Sequence, residues 1–198
     1  MKLQDLSIKH FAEKTASIEA MPAAGSSIAL CAALSSALIE MVAKLALEKN
    51  KYVKEHERLK EISYEMNDIR LQFLEDIDRD ADFYQLVLDA YQLPNDTNEE
   101  ISIRDNKIVE ALKKATLVQM DVAEKGLKLL ITINEISGVV LGNVEADIMV
   151  SGMICKTSVL GALLNIRTNL KEINDNQFSE EVTKKCDFIE IDIENYLI

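Results

Sequence analysis

The chain has 198 residues with 34 acidic and 22 basic side chains, a net charge of −12. That length suits one domain with a substantial core, and the acidity argues against nucleic-acid binding, which needs a basic surface to meet phosphate. Six glycines, two prolines and no tryptophan leave few turn residues, so the composition favours long helices with few connections.

The first segment, Leu6 to Ile18, sets Ile8, Phe11, Ala12, Thr15 and Ile18 near helical spacing, which predicts an amphipathic helix. The first residues, MKLQDLSIKHF, lack the apolar run and small-residue cleavage site of a signal peptide, and the protein is expected in the cytoplasm. A turn of small residues follows, Pro22-Ala23-Ala24-Gly25-Ser26-Ser27, and then more than twenty residues without Gly or Pro. With Ser26 or Ser27 as N-cap, a helix from there to about Lys49 would run roughly 34 Å. It is apolar on nearly all sides, the pattern of a buried helix. Ala29, Ala33 and Ala37 form a flat ridge on it where another helix can approach closely. The stretch is long enough to cross a bilayer. However, it carries Glu40 and Lys44 one turn apart, a pair better read as a salt bridge at a wet edge or ligand pocket than as part of a membrane span.

From Lys54 to about Leu93, apolar residues recur in steps of three and four, from Leu59 and Ile62 to Leu88 and Tyr91, predicting one long amphipathic helix that Pro94 stops. Ser102 with Asp105 is taken as the start of the next helix, which runs through Gly126 to Ile136 and breaks at Gly138 to Asn143. Ala146 to Asn169 is a second apolar helix with small residues, Gly152 and Gly161 among them. Ser179 is expected to cap a last amphipathic helix through Val182, Cys186, Ile189 and Ile193. No segment alternates with a period of two. The expected fold is therefore all-α, an up-and-down bundle of five to six helices with long buried central helices. The small residues on the buried helices suggest that one face also meets a second subunit. Cys31, Cys155 and Cys186 lie too far apart for a disulfide framework or a metal spacing.

Four blocks in this order carry a resemblance: the Pro-small-small-Gly-Ser turn, the helix ending MVAKLALEKNKY, the block DIDRDADFYQLVLDAYQLP, and an aspartate ahead of GALLNIRTNL. Over His10 to about Leu170 the chain resembles the cyclodeaminase/cyclohydrolase family of folate one-carbon enzymes. The resemblance implies an all-helical homodimer, a folate site in a cleft near the subunit interface, and one of two reactions: hydrolysis of methenyl-tetrahydrofolate or cyclisation of formimino-tetrahydrofolate with loss of ammonia. The family's turn is typically Pro-Gly-Gly-Gly-Ser, so Ala23 and Ala24 replace two glycines here. Lys44 stands where the family usually has Asn, and Glu48 where it usually has Gly. Asp78, Asp80 and Tyr84 match the acidic block, Asp147 matches the later aspartate behind a shortened loop, and Gly161, Asn165, Arg167 and Asn169 match the last block.

Both reactions call for a carboxylate that stabilises positive charge or moves a proton, with donors to orient the folate and no metal or organic cofactor. Asp147, Asp78 and Asp80 are the candidate catalytic residues; Pro22, Gly25, Ser26, Lys44, Asn165 and Arg167 are the candidate substrate contacts. Each has a plainer reading. The plainer role for Asp147 is the N-cap of its helix. Asp78 and Asp80 lie in an acidic run that is ordinarily a solvated face, although crowded carboxylates raise one another's pKa and so suit proton transfer. Asn165 and Arg167 stand among apolar residues and need partners, from the protein or from a ligand. The two alanines in the turn keep open a second function, a non-catalytic ligand-binding or assembly protein on the same scaffold. The expected partners are a folate substrate and a second copy of the chain, with no nucleic acid and no membrane. The folate reading requires the Gly25-Ser26 turn and Asp147 to share one pocket, within a subunit or across two.

Overall fold

In the computed structural model, which describes residues 1–196, every regular element is helical. The α-helices are α1 (Ile8–Thr15), α2 (Ala24–Leu47), α3 (His56–Tyr91), α4 (Asn98–Ser137), α5 (Glu145–Leu170) and α6 (Asn176–Ile193), with short 3-10 turns at Leu3–Asp5 and Asn50–Glu55. Helices α2, α3, α4 and α5 pack in a ring in chain order, each against the next and α5 back against α2. Short connections force neighbours to run antiparallel, which makes the up-and-down bundle. The core between them is filled by Ile39, Met66, Phe73, Leu129, Ile133 and Leu163, all fully buried. Helix α6 covers α4 and α5, and the N-terminal turn leans on α3.

Small residues decide how closely the rods approach. Ser35 and Ser151 exchange hydrogen bonds across α2 and α5 at 2.8 to 2.9 Å. Nearly three turns farther along α5, Gly161 leaves room for Ile28, which a β-carbon there would press at 3.0 Å. Gly126, within α4, receives the side chain of Val159 from α5. Both α2 and α5 are long and apolar enough to cross a membrane by length and composition, and half of the apolar stretch of α2 is buried inside the bundle.

Three helix starts differ from the sequence expectation. Helix α2 begins at Ala24 with Ala23 as its N-cap, so Ser26 and Ser27 lie in the first turn. Helix α4 begins earlier than Ser102, at a full capping box in which Thr97 accepts from the Glu100 N–H and the Glu100 carboxylate accepts from the Thr97 N–H. The Thr-x-x-Glu pattern satisfies two orphan amides at once and outcompetes the serine farther along. Helix α6 is capped by Asp175, which accepts from the Phe178 N–H at 3.0 Å, in place of Ser179.

Candidate active site

The head of α2 is where the singled-out residues converge. Ala23 offers no side-chain cap to the first turn, whose free amides carry the positive end of the helix dipole. Asp80 of α3 supplies the missing acceptor from across the bundle. Its Oδ2 lies 3.1 Å from the Ser26 hydroxyl, which is also 3.0 Å from the Ile77 carbonyl, and the nearby Ser26 backbone amide favours the charged carboxylate. Its Oδ1 accepts from the Gln119 amide of α4 at 2.6 Å. Gly25 makes this approach possible, because a β-carbon there would overlap all three atoms of the Asp80 carboxyl group. Burial pushes the Asp80 carboxyl above the usual carboxylate range; the bonds from Gln119 and Ser26 oppose the shift and the charge of Asp76 adds to it.

The alanines of the turn fit without strain. Ala23 has φ −120° and ψ −154°, ordinary extended backbone, and no non-glycine residue among those described has a positive φ. Both Ala23 and Ala24 are exposed, whereas Gly25 and Pro22 are buried. The one place in the turn where a methyl group would collide is the one that keeps glycine.

Asp78 points elsewhere. Two residues along a helix turn the side chain by about 200°, and Asp78 accepts from the backbone N–H of Leu3 at 2.6 Å and of Gln4 at 3.3 Å. It fastens the N-terminal turn to α3, and the carboxylate that adds charge beside Asp80 is Asp76. Asp76 itself is fully buried and paired with Arg79 at 2.6 Å and with Lys125. Arg167 is held by Glu190 at 2.7 Å and Asp187 at 3.0 Å on α6. The partner that its apolar context demanded is thus protein.

The remaining residues separate along the bundle. Gly161 faces Ile28 and Ser151 faces Ser35, so Asn165, one turn beyond Gly161, stands level with the head of α2. Asp147 lies in the first turn of α5, half-buried, one turn before Ser151. Eighteen residues make five full turns, so Asp147 and Asn165 share one face of α5, about 27 Å apart. Lys44 is at the Asp147 end, paired at 2.5 Å with Glu40, which also accepts from Arg70 at 2.8 Å. Burial works against the Glu40 charge, but the bonds from Lys44 and Arg70 hold its pKa below the usual value. One chain therefore gathers Pro22, Gly25, Ser26, Asp80 and Asn165 at one end, and Asp147 and Lys44 at the other.

Gln119 was not singled out from the sequence. It is one amide within the run Leu117-Val118-Gln119-Met120, and only the antiparallel register of α3 and α4 sets it against Asp80. Among the described residues, no group of His, Cys, Asp or Glu is arranged to hold a metal ion.

The protein family described as formiminotransferase-cyclodeaminase matches residues 7–188. The methenyltetrahydrofolate cyclohydrolase of Methylorubrum extorquens is 31% identical over 91% of this chain and 86% of its own length. The formimidoyltransferase-cyclodeaminase of Mus musculus is 28% identical over 90% of this chain, which spans only 33% of that longer protein. The crystal structure of formiminotetrahydrofolate cyclodeaminase from Thermotoga maritima superposes with a TM-score of 0.89 over 98% of this chain and 93% of its own, at 24% identity. At that identity it shows the shared fold.

Proposed function

Because the chain belongs to the formiminotransferase-cyclodeaminase family, we propose that it is a folate one-carbon enzyme, acting on methenyl-tetrahydrofolate as a cyclohydrolase. Cyclodeamination of formimino-tetrahydrofolate is the second reading, favoured by the likeness to the mouse protein. The cyclohydrolase comes first because this chain spans most of the cyclohydrolase relative and a third of the mouse protein. The observation that carries the proposal is the head of α2, where the glycine needed for contact is retained and a buried carboxylate with raised proton affinity waits beside a helix N-terminus.

The site is completed by a second copy of the chain. The outer face shared by α2 and α5 is apolar, with Leu34, Met41 and Leu45 exposed on α2 and Val150, Met153 and Leu164 exposed on α5. Such a contiguous face is an association surface. A two-fold axis normal to it, crossing near the middle of α5, exchanges the two ends of the bundle. One protomer's Asp147 then comes to the Gly25-Ser26 turn, Asp80 and Asn165 of its partner. In that pairing the turn and Asp147 would share one pocket across subunits, as the folate reading requires.

In the hydrolysis, water adds to the cationic amidinium carbon while Asp80 takes its proton. The C–N5 bond then breaks as that proton passes to the departing nitrogen; the hydroxyl of the adduct gives up its own proton to the freed Asp80 carboxylate, and from there to solvent, as the C=O of the formyl group forms on N10. Asp147 contributes negative charge opposite the cation. The experiment is direct: purified protein is mixed with methenyl-tetrahydrofolate and its absorbance followed, and formimino-tetrahydrofolate is assayed for released ammonia. Loss of absorbance above the spontaneous rate supports the cyclohydrolase and ammonia release the cyclodeaminase. Neither would leave a non-catalytic bundle.

A further inference from the structure

Asp80 has a neighbour whose chemistry fits a group that must alternate between two protonation states. Gln119 is 1% exposed, its Nε2 donates to Asp80 Oδ1 at 2.6 Å, and its Oε1 is buried without a hydrogen-bond partner among the described residues. A buried amide oxygen left unpaired costs free energy, so the position is not explained by packing alone; an apolar side chain of the same size would fill it more cheaply. A carboxamide differs from that apolar side chain in one relevant respect. Turning it by half a revolution about its last bond exchanges a donor for an acceptor. Toward a carboxylate it presents N–H; toward a protonated carboxyl it presents C=O.

We propose that Gln119 is a positioning residue for this site, holding Asp80 against the head of α2 and remaining paired with it, by rotation of its amide, whether or not that carboxyl carries a proton. The inference rests on the folate reading above, in which Asp80 takes and returns the proton. The surrounding charges do not substitute for it. Helix α2 has no charged side chain between Ala24 and Glu40. On α3, Asp76 is neutralised by Arg79 and by Lys125 of α4, and Arg79 also meets Asp121 of α4 at 3.1 Å. The uncharged groups bonding Asp80 are Ser26 and Gln119. Of these, only the glutamine can reverse its polarity without losing the contact, since the Ser26 hydroxyl is shared with the Ile77 carbonyl.

The test compares wild type with Gln119→Met, close in size but without a donor, and Gln119→Glu, which donates only while its own carboxyl is protonated. Two readouts are taken: the pH profile of kcat/KM for the folate reaction, and the 13C carboxyl shift of Asp80 across the same pH range, assigned by its loss in Asp80→Asn. The charged form of Asp80 loses more than the neutral form when the donor is removed. The acid limb and the Asp80 titration should therefore both move to higher pH by about one unit in Gln119→Met. In that variant kcat should fall about tenfold while KM changes by less than about twofold. Gln119→Glu should fall below wild type at neutral pH and recover towards it as the pH is lowered. In an Asp80→Asn background Gln119→Met should have no further effect on kcat/KM. Superimposable acid limbs, an unmoved Asp80 titration, or the same loss in the Asp80→Asn background would overturn the proposal. If wild type turns over neither folate, the enzyme reading falls, while the carboxyl titration still decides whether Gln119 holds Asp80. If Gln119→Met does not fold, the pH-dependent recovery of Gln119→Glu decides.

Discussion

At the scale of the residue, the head of α2 rests on one missing methyl group. Gly25→Ala would drive a β-carbon into the Asp80 carboxyl. The expected result is a loss of about 1–3 kcal/mol in chemical denaturation, with turnover falling far more than that loss of stability explains. An active, equally stable Gly25→Ala variant would show that the close contact is not needed. Asp80→Asn is expected to do the reverse. The amide is close in shape, and the unpaired Oε1 of Gln119 can accept from its new N–H. Turnover should fall by about a hundredfold or more while the fold persists. The sign of the pH effect follows from the raised pKa of Asp80. A carboxyl easier to protonate when folded stabilises the fold at acid pH, and that contribution is lost as pH rises through its folded pKa. Relative to wild type, Asp80→Asn should therefore gain stability between about pH 4 and pH 7. Urea midpoints at the two pH values measure this; a constant difference would deny the shift.

At the scale of the element, glycine inside a helix is legible as a cost of about 1 kcal/mol, but its purpose is not. Gly126 makes the point. Helix propensity alone says that Gly126→Ala should stabilise α4, whereas the new methyl would meet Val159 of α5, whose β-branched side chain has one strongly preferred helix rotamer. Packing should win, with a net destabilisation of about 1–2 kcal/mol by thermal melting. A higher Tm would show that α5 can shift away freely. The caps obey the same division. Thr97 with Glu100 was readable three residues apart. The cap of α2 was not, because its acceptor is Asp80, more than fifty residues away in sequence.

At the scale of the whole molecule, the proposed two-fold pairing makes a prediction that no single-chain site can meet. If Asp147 of one protomer serves the turn of its partner, Asp147→Asn and Asp80→Asn are each inactive as homodimers. Unfolded together and refolded as a mixture, half the dimers should be mixed and carry one intact site of two, restoring about a quarter of wild-type activity. No recovery from a mixture shown to contain mixed dimers would show that Asp147 does not serve its partner's turn, and a fully active Asp147→Asn homodimer would place it outside the reaction.

The one-dimensional pattern was enough for the all-α class, the four long rods and the family; it named Gly25, Ser26 and Asp80 as candidates, but joined the turn to Asp147 and not to Asp80. Periodicity of three and four reports which side of a helix is buried, and a four-block motif survives without coordinates. Tertiary structure alone decided which of several chemically equal carboxylates reaches the head of α2. Asp76, Asp78 and Asp80 are indistinguishable in an acidic run, yet the 100° turn per residue sends Asp76 to Arg79 and Lys125, Asp78 to the N-terminal amides, and Asp80 to the head of α2. Gln119 and the separation of Asp147 from the Gly25 turn were equally out of reach of the sequence. Both are consequences of antiparallel register, which is fixed by side chains meeting across the bundle and leaves no trace in the spacing along any one helix.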